Sequence, residues 1–210
     1  MRKIIWRASG EYLECRVVDF MRRHNIADYE TLVKCSTDDI EWFWDACLKH
    51  IGVEWFKPYS KVLEGWLPWA RWFVGGKVNI VHNCIDRHIQ AGKGDETFLV
   101  WEGDSKQVRE VSYGWMNAQV SRVASALRRL GIGKGDKVGI YMPMVPEIEV
   151  AFFAVMKIGA VAVPIFSGFG AGAVATRLAD AEAKVVFTAD GGFRRGKTIP
   201  IKPTLDEALK

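Results

Sequence analysis

Three cations stand close together late in the chain: Arg194, Arg195 and Lys197, in Gly191-Gly192-Phe193-Arg194-Arg195-Gly196-Lys197-Thr198. An Arg guanidinium grips a phosphate through two parallel N–H donors, and a Lys ammonium adds a point charge. Glycines around them free the backbone to approach an anion. The chemistry this predicts is phosphate binding; a solvated basic loop is the competing reading. The same eight residues also fit G-x-x-x-x-G-K-[ST] letter for letter. A loop of that type needs a helix opening at its Lys-Thr, so that free N–H groups face the phosphates. Here Ile199-Pro200-Ile201-Lys202-Pro203 follows, and its two prolines oppose a helix.

A second glycine stretch, Gly168-Phe169-Gly170-Ala171-Gly172-Ala173, fits G-x-G-x-x-G/A, with Asp190 about twenty residues on as a ribose-binding acid. That fingerprint belongs after the first strand of its sheet, whereas here a complete βαβ unit precedes it. Phe166 and Phe169 beside these glycines line an apolar passage or close the core. His82, Cys84, Asp86 and His88 alternate and would share one face of a strand as metal ligands. With Asn83 as an N-cap and Asp86 in the first turn, the segment reads instead as a helix, on which the four do not converge.

Positioning falls to Lys137–Gly168. Val138–Met142 is a short apolar run, as a buried strand would be, and Pro143 and Pro146 end it. Pro146 suits a first helical turn, Glu147 and Glu149 complement the helix dipole, and Gly159 follows the helix as a C′ residue. Ala160–Phe166 is again apolar. Two buried strands joined by a helix predict an α/β fold with a parallel-sheet βαβ core, whose ligands bind beyond the carboxyl ends of the strands. Those ends are Met142–Glu147, Phe166–Gly172 and Thr188–Thr198.

Around this core, Thr97–Trp101 and Val108–Val111 predict a hairpin. Ser112 caps a helix from Tyr113 to Leu130 with an apolar stripe from Trp115 through Leu127 to Leu130, and Gly131 stops it. A helix over Ala173–Ala181, a strand over Lys184–Thr188 and a helix beginning at Thr204, with Glu207 as its capping-box partner, complete the pattern. Residues 1–75 differ. Tyr12–His24, Tyr29–Lys34 and Asp38–His50 read as short amphipathic helices, with Ser36 a cap and Gly52 a stop. Seven of the nine tryptophans lie here, Trp6 among them, and they predict packing more than sugar, base or lipid binding. Too few aliphatic runs suggest no separate core, and the segment is expected to lie against the α/β part.

At 210 residues with a net charge of +4, the chain can build a real core, accommodates an anionic small ligand and does not call for nucleic acid. Cys15, Cys35, Cys47 and Cys84 are scattered, which predicts reduced thiols and a cytoplasmic setting. Arg7 interrupts the apolar start, so no signal peptide is expected. Ile158–Thr176 is uncharged and long enough to span a bilayer, but Pro164 and its glycines divide it into strand, loop and helix, so no membrane span is expected.

Trp72-Phe73-Val74-Gly75-Gly76-Lys77-Val78-Asn79, Asn83-Cys84-Ile85-Asp86-Arg87-His88, Gly139-Ile140-Tyr141-Met142-Pro143-Met144 and Thr188-Ala189-Asp190-Gly191-Gly192 through Lys197 closely resemble AMP-forming acetyl-CoA synthetases. These belong to the adenylate-forming acyl-CoA synthetase superfamily, whose N-terminal extension Phe43-Trp44 and Trp55-Phe56 also resemble. The resemblance implies residues 1–75 as a helical and loop extension, and 76–210 as the first part of the large α/β adenylate-forming domain. It implies that a carboxylate and Mg·ATP give an acyl-adenylate, which the CoA thiol then attacks, with no bound prosthetic group. Arg194, Arg195, Gly196 and Lys197 match the family's loop for the nucleotide end of CoA. Phe166, Ser167 and Gly168 match the wall of its pantetheine passage. Ser167-Gly168-Phe169-Gly170 departs from the family's usual Gly-Gly-Phe-Ser, and Lys197 stands where some members have Arg. The family's Thr/Ser/Gly-rich phosphate loop, acyl pocket, metal-binding Glu, hinge and catalytic Lys belong after residue 210. The resemblance therefore implies an N-terminal portion, a fragment or one product of a split gene, inactive alone and needing the remainder as partner. A non-catalytic nucleotide-binding module, Rossmann-like for NAD or P-loop for ATP, is the alternative.

Overall fold

A computed structural model describes residues 9–10, 14–66 and 68–210, and the chain divides into two units, Met1–Val78 and Asn79–Lys210. The first carries helices α1 (Arg16–Arg23), α2 (Tyr29–Asp38) and α3 (Ile40–His50), then an antiparallel pair, β1 (Lys61–Glu64) and β2 (Arg71–Val74). Asp28 and Asp39 cap α2 and α3 by accepting from the backbone N–H groups of Thr31 and Trp42 at 2.7 and 2.9 Å. Ser36, the expected cap, lies inside α2. Its hydroxyl donates back to the Val33 carbonyl, a bond that needs no helix end. Gly52, at φ +68°, follows α3 as the expected stop.

This unit has a small core of its own, contrary to the expectation from its few aliphatic runs. Phe20, Leu32 and Ala46 are buried, with Met21, Ile26, Trp42 and Phe43 packed around them. Rings supply the missing volume: Phe20 lies 6.0 Å from Phe43 and 6.3 Å from Trp42. Trp6 and the start of the helix expected from Tyr12 lie outside the described residues.

In the second unit, Asn79 rather than Asn83 caps the first helical segment, accepting from the Val81 N–H at 2.9 Å. Asn83 is buried within a π-helical turn, His82–Asp86, that runs into α4 (Arg87–Gln90). The hairpin β3 (Thr97–Glu102) and β4 (Val108–Ser112) follows. Ser112 then caps α5 (Tyr113–Arg129), accepting from the Trp115 N–H at 3.2 Å. Met116, Val120 and Leu127 are buried as the stripe predicts, but Leu130 lies past the last turn and is exposed.

Next come β5 (Lys137–Tyr141), α6 (Pro146–Lys157), β6 (Val161–Pro164), α7 (Ala171–Asp180) and β7 (Val185–Thr188). The strands form a parallel sheet in the order β6-β5-β7, with Val138 opposite both Ala162 and Val185. The chain leaves β5 through α6 to one side and returns across it through α7 to the other. A right-handed crossover in each direction puts the two helices on opposite faces. Side-chain alternation agrees. Val138, Ala162, Val185 and Phe187 join the α5–α6 core, while Tyr141, Val163 and Val186 join a second core with Val174 and Leu178 of α7. Gly139 makes room for α7, since a Cβ there would stand 2.6 Å from Leu178 Cδ2.

Two short strands, β8 (Gly191–Arg194) and β9 (Lys197–Pro200), and helix α8 (Lys202–Ala208) follow. The helix begins before the expected Thr204, with Pro203 in its first turn and without a capping box. The buried residues Ile201 and Leu205 tie it to the second core, and the Asp190 carbonyl accepts from the Ile201 N–H at 3.0 Å. The uncharged stretch 158–176 is divided between β6 and α7 as its proline and glycines require, and no helix of the described residues is long and apolar enough to cross a membrane.

Candidate phosphate-binding site

The basic stretch after β7 is an antiparallel hairpin, where a glycine loop was expected. Gly192 pairs with Ile199, Phe193 with Thr198 and Arg194 with Lys197, leaving Arg195 and Gly196 as a two-residue turn at φ +53° and +72°. Two successive positive φ values are those of the tight turn that matches strand twist, and Gly at the second position suits it. Pro200 is compatible with an edge strand and closes β9, while Pro203 sits in the first turn of α8, where its missing N–H costs nothing. Lys197 and Thr198 therefore lie on a strand, with no helix N-terminus behind them, so the P-loop pattern has no P-loop geometry.

Opposed residues of an antiparallel pair project from one face, so Arg194 and Lys197 present their charges together, with Arg195 at the tip. All three are exposed, and among the described residues none is held in an ion pair. The base of the hairpin is fixed. A Cβ on Gly191 would meet the Ile199 carbonyl oxygen at 2.9 Å, and one on Gly192 would meet Pro143 Cβ at 2.8 Å. The glycines thus let β8 lie against the loop that follows β5. The tip is also held. Asp104, in the β3–β4 turn, accepts from the Gly196 N–H at 2.7 Å and the Arg195 N–H at 3.0 Å. Those two backbone donors, Gly196 first, hold the Asp104 carboxyl below its ordinary pKa.

Phe166, Ser167 and Gly168 follow β6. The buried Tyr141, last residue of β5, donates its hydroxyl to the Phe169 carbonyl at 2.8 Å and lies 3.3 Å from the Ser167 carbonyl. Gly168 sits under the Phe166 ring, where a Cβ would come within 2.5 Å of Cε1. The two phenylalanines part roles. Phe169 packs against the second core with the Arg177 guanidinium 4.3 Å above its ring, while Phe166 is 60 % exposed. The Phe166 loop and the basic hairpin flank the end of β5, one tied to Tyr141 and the other to Pro143. Among the described residues no hydrogen bond or ring contact joins them directly.

The second glycine pattern does lead from a strand into a helix, with Gly170 at the N-cap of α7. It follows β6, an edge of the three-stranded sheet, and Asp190 turns its carboxylate to its neighbour's N–H, Gly191, at 2.8 Å. His82, Cys84, Asp86 and His88 lie on helical turns: Asp86 pairs with Lys157 at 2.7 Å and His88 stacks 4.9 Å from Tyr113. Sequence reasoning missed Asp104 and Tyr141. An Asp in a hairpin turn and a Tyr ending a buried strand are ordinary there, and only the fold shows what their polar ends reach.

A parallel sheet with helices on both faces, and a cationic hairpin at its carboxyl edge, defines an α/β protein with positive charge gathered where such sheets take their ligands. Residues 85–210 match the family model of the AMP-binding enzymes, and residues 29–84 match that of the acetyl-coenzyme A synthetase N-terminus. The chain belongs to the AMP-binding enzyme family. It is 43% identical over 87% of its length to an acetyl-coenzyme A synthetase of Rhodopirellula baltica, and 46% identical over 74% to one of Streptomyces coelicolor. It is 41% identical over 89% to a 3-hydroxypropionyl-coenzyme A synthetase of Metallosphaera sedula. The matched regions are 28%, 24% and 28% of those proteins, so the chain spans about a quarter of their length.

Proposed function

We propose that this chain is the N-terminal portion of an AMP-forming short-chain acyl-CoA synthetase of the acetyl-CoA kind, and that its hairpin receives phosphates of CoA. In the complete enzyme a carboxylate oxygen attacks the α-phosphorus of Mg·ATP. Pyrophosphate leaves and an acyl-adenylate forms. The CoA sulfur then attacks the acyl carbon, AMP leaves, and the thioester is released. Residues 1–75 serve as an N-terminal extension and 76–210 as the first part of the adenylate-forming domain. The remainder of the synthetase is the partner that supplies the ATP-binding and catalytic groups, so the 210-residue chain alone is inactive. Four free thiols support a cytoplasmic setting.

The observation that carries this reading is the pairing of Arg194 with Lys197 on an exposed hairpin at the carboxyl edge of the sheet, with Arg195 at its tip. Arg194, Arg195 and Lys197 hold the nucleotide end of CoA, and Gly196 shapes the turn that carries them. Phe166, Ser167 and Gly168 wall the pantetheine passage, the exposed Phe166 ring offering it an apolar side.

Kinetics of the complete synthetase test this. Loss of one charge-assisted contact costs about 1.5–3 kcal/mol, or about tenfold to a hundredfold in affinity. Arg194→Glu adds repulsion and is expected to raise the KM for CoA by at least that factor, while acyl-adenylate formation without CoA stays near wild type. Loss of both half-reactions in a folded Arg194→Glu enzyme would overturn the assignment. A hairpin that serves ATP instead would show itself in Lys197→Ala, as an abolished ATP-dependent half-reaction with any carboxylate.

A further inference from the structure

We infer that Asp104 is a positioning residue for the phosphate-binding hairpin: from a different hairpin, β3–β4, it fixes the turn that presents Arg194, Arg195 and Lys197. This deepens the reading above and rests on it. The turn is strained at one residue. Arg195 adopts φ +53°, a left-handed conformation that Asn, Asp and Gly accept more readily than Arg. The two N–H groups at the tip point away from the hairpin's own ladder, which pairs Arg194 with Lys197. They are left to an acceptor outside the ladder, either water or a protein oxygen, since both residues are exposed. The Asp104 carboxylate supplies one for each, at 2.7 Å to Gly196 and 3.0 Å to Arg195.

The element carrying Asp104 is itself anchored. The β3 residue Trp101 donates its indole N–H to the Met144 carbonyl at 2.7 Å, and Arg109 of β4 pairs with Glu147 of α6 at 2.7 Å. Gly192 meets the same loop through Pro143. The two hairpins and the β5–α6 loop therefore brace one another, and the cations project from a turn held at both base and tip.

The sign of the effect separates positioning from simple electrostatics. An acid near an anion site repels the ligand, so if Asp104 acted only by its charge, its removal would tighten binding. If it positions the turn, Asp104→Ala weakens binding of 3′,5′-ADP, a mimic of the nucleotide end of CoA, by about tenfold. Asp104→Asn, which drops the charge and keeps an acceptor oxygen for only one of the two N–H groups, then restores part of that loss. Binding to the full 210-residue chain is followed by NMR, together with hydrogen exchange of the Arg195 and Gly196 amides. Faster exchange and weaker binding in Asp104→Ala, with partial recovery of both in Asp104→Asn, is the expected result. Unchanged exchange in Asp104→Ala, or binding equal to or tighter than wild type, overturns the inference. Arg194→Glu serves as a separate control. If it leaves 3′,5′-ADP binding unchanged, the CoA reading of the hairpin fails, while amide exchange still decides whether Asp104 fixes the turn.

Discussion

Two glycine-rich stretches leave the carboxyl edge of the sheet, one on each side of β5, and they use glycine for opposite purposes. In 191–196 two of the three glycines are there because something lies close: a Cβ at Gly191 would press on the partner strand and one at Gly192 on Pro143, while Gly196 has open space and serves the turn by its φ of +72°. In 168–172 only Gly168 is crowded, by a ring two residues away, and Gly170 and Gly172 have no atom within 4 Å of where a Cβ would stand. Both stretches satisfy a nucleotide-binding pattern letter for letter. Neither pattern identifies what the local chain builds, because a regular expression counts residues and is blind to the element that follows. A hairpin after the first stretch and a helix after the second decide the difference.

The largest test of that contrast is Gly192→Val. The branched side chain meets the rigid Pro143 ring, and overpacking of this kind costs about 1–3 kcal/mol. Urea unfolding of the chain measures it. The hairpin is also displaced from its support, so the KM for CoA of the complete synthetase rises with it. Gly172→Ala, in open space, is expected to change stability by less than about 1 kcal/mol, and in the stabilising direction. Equal tolerance of the two substitutions would erase the distinction.

The sequence made the layered part of the fold legible. Strand β5, its proline-started helix and the C′ glycine after it were readable because their period, caps and breakers agree. The parallel order β6-β5-β7 follows from right-handed crossovers. The hairpin at 191–200 was not readable. Its strands are four residues each, rich in glycine and charge, and exposed along β9, so no alternation of burial marks them. The small core around Phe20 escaped for a related reason, since rings scattered over three helices leave no aliphatic run. Of the candidate site, the cations were legible as residue types. The acceptor that fixes their turn was not, because Asp104 lies some ninety residues earlier and meets the turn only in three dimensions.

A smaller effect concerns pH at the hairpin tip. The Asp104 carboxyl is held below its ordinary pKa by the Gly196 and Arg195 N–H donors. A depressed folded value means that the carboxylate's contribution is present above the ordinary Asp pKa. It is lost only as pH falls through the lower, folded value. The Arg195 and Gly196 amide signals should therefore hold steady as the pH is lowered through the usual carboxylate range and move only below it. A titration of these amides centred at the ordinary Asp value would mean that the two bonds do not persist in solution. No corresponding titration is expected at Gly168–Gly172, where no carboxylate is bonded to the backbone among the described residues.

The smallest effect is expected from Gly170→Ser. Gly170 is the N-cap of α7, with φ −77° and ψ 168°, and no side chain accepts from the free N–H groups of that first turn. The extended conformation is the one a capping Ser adopts, and the space around it is open. A Ser hydroxyl there would accept from an N–H of the first turn, worth a few tenths of a kcal/mol over Gly, or about 1 °C in Tm for a chain of this size. The substitution also restores the Ser of the family's usual Gly-Gly-Phe-Ser, so the loop should keep its shape and the KM for CoA should not change. A dinucleotide site predicts otherwise. There the second glycine lets a pyrophosphate approach the backbone, and a side chain at Gly170 would block it. NAD titrated against the wild-type and Gly170→Ser chains, beside their thermal unfolding, separates the two. A slightly higher Tm with no NAD binding in either protein fits a helix cap, whereas NAD binding lost on substitution would return the stretch to the nucleotide class.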